Sequence, residues 1–80
     1  MLTNDQMTAG RFLCLHKARE ALSWINARLD EGRTVYVTTY TRRTAFKEKH
    51  RDMIRVRGGS LEAQYGRQWL DISGCHLTAR

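Results

Sequence analysis

Proline is missing from the chain altogether, cysteine occurs only twice, and eight Asp and Glu face fourteen Lys and Arg. With no proline and no Gly/Ser-rich linker or repeat, nothing partitions the sequence. One domain over residues 1–80 is therefore expected, rather than a slice of a larger array. Cys14 and Cys75 can close at most one bridge. That excludes a disulfide framework and leaves two reduced thiols in a cytoplasmic protein as the expectation. No basic leader precedes an apolar segment, so no secretory signal is expected. No apolar run approaches the roughly 18 residues a membrane span requires.

Catalytic signatures are scarce as well. There is no phosphate-cradling loop, no nucleophile elbow and no paired-carboxylate pattern, and Gly58-Gly59-Ser60 has the composition of a turn. His50 near Asp52, with His76 elsewhere, keeps open acid–base cleavage of RNA by a small toxin-type ribonuclease. Cys14 with His16, and Cys75 with His76, would supply four metal ligands only if the chain ends met. Their spacings are not those of a zinc finger, and adjacent Cys75 and His76 point apart on an extended segment. Neither a catalytic role nor a metal or other cofactor is expected.

What the chain does contain is the composition of a folded globule, 41% hydrophobic and 28% charged. Leu15, Ala18, Leu22, Ile25 and Leu29 recur at intervals of three and four, predicting an amphipathic helix from Leu15 to Glu31 that Gly32 terminates. Trp24 lies at the edge of that stripe, beside Ala21 and Arg28, as a lid over the core. Upstream, the capping-box spacing of Thr3 and Gln6 points to a helix starting near Asn4, with Gly10 interrupting it. From Arg33 the period changes to two. Strands are predicted at Thr34–Tyr40, Met53–Arg57, Ser60–Tyr65 and Gln68–Ile72, with a basic loop from Thr41 to Asp52 and a short tail from Gly74. Gly58-Gly59 and Gly66-Arg67 are the hairpin turns, the first with both glycines expected at positive φ.

This order describes an α+β domain, an N-terminal amphipathic helix packed on an antiparallel β-meander of three to four strands. Alternation places Val35, Val37, Ile54, Val56, Leu61, Ala63, Leu70 and Ile72 against the helix. It sends Tyr36, Tyr40, Arg55, Arg57, Glu62, Gln64, Trp69 and Asp71 to the opposite face, with Trp69 also compatible with the inner one.

The positive charge is concentrated. Between Arg42 and Arg57 the chain carries Arg42, Arg43, Lys47, Lys49, Arg51, Arg55 and Arg57 against Glu48 and Asp52, almost the whole of the net +6. Tyr36, Tyr40 and Trp69 share the outward face with Arg55 and Arg57. Aromatic rings stack bases or guanidinium groups, and arginine forks take phosphate or carboxylate pairs. The combination suits DNA or RNA directly, and equally a protein hot spot.

The stretch Met53-Ile54-Arg55-Val56-Arg57, the Gly58-Gly59 turn, Ser60 to Tyr65 and Gly66-Arg67-Gln68-Trp69-Leu70-Asp71 resembles the C-terminal hairpin of small phage-encoded anti-CRISPR inhibitors of type I-F surveillance complexes. There, too, a strand, a glycine turn, a second strand and a Gly-basic-x-Trp-x-Asp segment follow an amphipathic helix. The similarity covers about 20 of the 80 residues, and the basic loop Thr41–Asp52 has no counterpart in it. It implies a basic surface that docks on the nucleic-acid-binding backbone subunits of the host complex and blocks or misdirects DNA binding. The expected partner is thus a host nucleic-acid-handling complex, a CRISPR–Cas effector foremost. Arg42, Arg43, Lys47, Lys49, Arg51, Arg55 and Arg57 would supply the electrostatic contact, and Tyr36, Tyr40 and Trp69 the anchors.

Overall fold

The computed structural model describes residues 6–8 and 15–80. The predicted helix is present as α1, Leu15–Asp30. It closes on Gly32, whose φ of 77° lets its N–H reach the Leu29 carbonyl at 2.9 Å while the Arg33 N–H reaches that of Arg28. Ala18, Ala21, Ile25 and Leu29 are its buried stripe. Two alanines in that stripe let the backbone approach the sheet closely. Leu22, predicted as part of the stripe, is half-buried at its margin, and Trp24 is half-buried over the core edge with Arg28 above its ring.

Among the described residues the strands are β1 (Gln6–Thr8), β2 (Val35–Thr38), β3 (Arg43–Phe46), β4 (Ile54–Arg57), β5 (Ser60–Tyr65), β6 (Gln68–Asp71) and β7 (His76–Ala79), with a 3₁₀ turn at Glu48–Met53 between β3 and β4. They form two antiparallel sheets rather than one meander. One has strand order β1-β7-β2-β3 and the other β4-β5-β6. The α+β assignment holds, but only the last three strands of the predicted meander stay together, as β4-β5-β6 with α1 lying on β4 and β5, while β2 pairs in the other sheet.

Three expectations are corrected. The loop Thr41–Asp52 contains β3 and the 3₁₀ turn, because Thr44 and Phe46 have an apolar face to fill opposite Val37 and Val35. The tail is a strand, β7, seated between β1 and β2, with Leu77 and Ala79 buried. Gln6–Thr8 is extended, not helical, since β7 offers its backbone a ladder. The remainder of the predicted upstream helix, with Thr3, Gly10 and Phe12, lies outside the described residues, as does Cys14.

Of the inward set, Val35, Val37, Ile54, Leu61, Ala63 and Ile72 are buried. Val56 is half-buried and Leu70 is exposed. Leu70 is on the expected side, opposite Ala63, but β6 is an edge strand, and α1 lies chiefly on β4 and β5. In the Gly58-Gly59 hairpin only Gly58 has positive φ, 62°. This is the pattern in which the first central residue alone is left-handed, and Gly66 opens the β5–β6 hairpin likewise at 64°. The sheets meet where Tyr65 of β5 packs edge-on against Phe46 of β3, at 6.4 Å between centroids, and accepts a hydrogen bond from the Thr44 hydroxyl.

Candidate anion-binding surface

The basic residues clustered in sequence are dealt to four places in space. The first is the 3₁₀ turn, where Lys47 and Lys49 are exposed. Arg51 there binds both Glu48 and Asp30, tying the turn to the C-terminus of α1. The same contact holds the Glu48 carboxyl below its ordinary range. Arg51 is therefore committed inside the molecule. His50 is committed too: its Nδ1 accepts the Lys47 backbone N–H at 3.0 Å and its ring packs edge-on against Phe46.

The second place is the β2–β3 turn. Strand β2 ends at Thr38, where a compact Thr39–Arg42 turn begins, its Thr39 N–H bonded to the Arg42 carbonyl at 2.8 Å. Tyr40, predicted to share the sheet face with Tyr36, is instead in this turn and fully exposed. Arg42 lies over the Tyr65 ring at 4.6 Å. Between this turn and the edge strand β6 is a cleft of about 190 Å³, lined among others by Tyr40, Arg42, Tyr65 and Leu70. Tyr40 and Leu70 are the exposed large hydrophobic side chains of the described residues, and both border it.

The third place is the outer face of the four-stranded sheet. Tyr36 stands there between small neighbours, Ala45 on β3 and Thr78 on β7. Arg43 lies over its ring at 4.4 Å and Arg80 at 6.0 Å. Arg80 has no strand signature in the sequence, being the last residue of a short tail. It is held by two backbone hydrogen bonds to Thr34, which prolong the β2–β7 ladder. The one signal available was the alternation His76-Leu77-Thr78-Ala79, weak over four residues.

The fourth place is the outer face of the three-stranded sheet. Arg55 reaches across β5 to lie over Trp69 at 3.9 Å, while its Nε donates to Glu62, its cross-strand partner, at 2.9 Å. Trp69 is thus on the outer face, half-buried, beside Gln64. Glu62 and Asp71 balance much of the charge here, and Arg57 projects at the rim.

Stacking a guanidinium on an aromatic ring contributes roughly 0.5–1 kcal/mol at an exposed site. It uses the face of the group and leaves the in-plane N–H donors available. Among the described residues Arg42, Arg43, Lys47, Lys49, Arg57, Arg67 and Arg80 form no ion pair. Of these, Arg42, Arg43 and Arg80 rest on aromatic rings, so the molecule presents oriented, unneutralised cations in more than one place rather than in one patch.

Cys75 is buried and His76 exposed, so neighbouring side chains point to opposite sides of the sheet. Among the described residues no three His, Cys, Asp or Glu side chains converge as a metal site requires. No helix among them is long and apolar enough to cross a membrane. Neither a protein-family model, nor a curated protein, nor a solved structure matches the chain.

Proposed function

We propose that this protein acts by binding rather than catalysis. In this reading it is a small phage- or mobile-element-encoded inhibitor, working in the host cytoplasm, that docks stoichiometrically on a nucleic-acid-handling complex, a CRISPR–Cas effector foremost. The observation that carries the binding role is the cleft at the β2–β3 turn. An exposed tyrosine and an exposed leucine line it, together with the Arg42 guanidinium stacked on Tyr65. Aromatic, aliphatic and arginine side chains around a small depression are what protein hot spots are made of, whereas each ring covered by its own arginine is less open to a base. The effector as partner rests on the hairpin resemblance.

The test is biolayer interferometry of the protein against a purified type I-F surveillance complex. Tight binding is expected, weakened at least about tenfold by Tyr40→Ala and by Arg42→Glu. Both residues are exposed, so their replacement leaves the fold in place, as circular dichroism would verify. Absence of binding to the effector, or binding indifferent to both substitutions, would discard the reading.

A further inference from the structure

The outer face of the four-stranded sheet has a property that the cleft lacks: its strands contain no acidic residue. Their sequences are Gln-Met-Thr, Val-Tyr-Val-Thr, Arg-Thr-Ala-Phe and His-Leu-Thr-Ala. The three-stranded sheet, in contrast, carries Glu62 and Asp71. Tyr36, Thr38, Arg43, Ala45, His76 and Thr78 share that face by register, and Arg80 extends it beside Thr34.

We propose that this face, centred on Tyr36 with Arg43 and Arg80, is a binding site for the phosphodiester backbone of single-stranded nucleic acid. The site is separate from the cleft and does not depend on its partner. Two guanidinium groups gather beside one ring, so their donors converge on a short stretch of surface. Neither forms an ion pair, and Arg43 and Arg80 are both exposed. Their in-plane N–H groups fit phosphate oxygens, and the open plane of Arg43 accepts a stacked base. Thr38, Ala45 and Thr78 keep the surroundings low, so that an extended strand can lie across the sheet. An acidic peptide would satisfy the charges, but its carboxylate side chains bring no aromatic ring to stack as a base does. Tyr36 acts as a positioning residue: it aligns the two arginines without itself taking the phosphate.

Fluorescence anisotropy with labelled oligo(dT) and oligo(U) of about 20 nucleotides, at about 50 to 200 mM KCl, decides the matter. Both oligonucleotides should bind at low salt, with log K falling linearly in log salt. Arg43→Gln and Arg80→Gln should each weaken binding and flatten the slope by roughly 0.7, the loss of one single-strand phosphate contact. Arg57→Gln, on the other sheet, should leave the slope as it is. Tyr36→Leu should weaken binding several-fold while keeping the slope, since the charges stay but lose their alignment. Should that variant fail to fold, the exposed arginine pair still decides the result. The proposal is overturned if neither oligonucleotide binds or if only oligo(U) does. It is equally overturned if Arg57→Gln flattens the slope as much as the sheet arginines do, or if poly-glutamate displaces the oligonucleotide as readily as unlabelled oligo(dT).

Discussion

At Cys75 the side chain is 2% exposed, and removal from water pushes the thiol up to about 12 from an ordinary 9.0. A thiol so protected is not a nucleophile at neutral pH. In a Cys14→Ser background, Cys75 should resist a chromogenic disulfide reagent at pH 8 and react fully once denaturant is added; stoichiometric reaction of the native protein would contradict its burial. A raised thiol pKa means the folded state holds the proton longer than the unfolded chain does. This contribution is complete below about pH 9 and is lost as pH rises from there towards 12. Leu70 and Trp69 were harder to assign from sequence. Alternation places Leu70 on the inner side and leaves Trp69 compatible with either, and it says nothing of whether a side is covered, which matters because β6 is an edge strand.

Among the elements, the 3₁₀ turn Glu48–Met53 depends on Arg51, which bonds to Glu48 within the turn and to Asp30 at the end of α1. Glu48 is held below its ordinary 4.5 by the hydrogen bond from Arg51, and Glu31 below it by hydrogen bonds from Arg28 and then Arg33. Depressed carboxylates stabilise the fold above the unfolded value of 4.5, and that support is lost as pH falls through the lower folded values. Melting curves between about pH 3 and pH 6 should therefore show Tm falling on acidification. Arg51→Gln should lower Tm by about 2 to 5 °C at neutral pH, because these groups are exposed and screened. It should also flatten the acid limb, leaving the part due to Glu31. An unchanged acid limb would remove Arg51 as the cause. In the sequence these residues look like one stretch of a solvated basic loop, since a contact between positions 30 and 51 has no local signature.

For the whole molecule the decisive element is β7. It lies between β1 and β2, pairs with both, and buries Leu77 and Ala79. Removing residues 76–80 deletes a core leucine, an effect worth about 2–5 kcal/mol on its own, from a domain whose total stability is of the order of 5–15 kcal/mol. It also leaves β1 without a partner strand. The truncated protein should lose its cooperative thermal transition by circular dichroism; a melt within a few degrees of the full chain would mean the segment is only an appendage.

Periodicity alone determined α1, its glycine stop, the β4-β5-β6 meander and the inward side of most strands. Each of these depends on neighbours within a few residues, or on a hydrophobic pattern that must face a core. Composition likewise determined that the chain is strongly basic and that its charge is concentrated between Arg42 and Arg57. Only the tertiary structure decided that β2 leaves the meander for a second sheet and that the tail becomes one of the two inner strands there. Only there do Arg80 and Tyr36 come together, while Arg42, Arg43, Arg51 and Arg55, neighbours in sequence, go to four different surroundings. Backbone pairing between segments some forty residues apart carries no imprint in either segment, because any extended stretch can satisfy another's ladder. Which segments pair is settled by the core they enclose together.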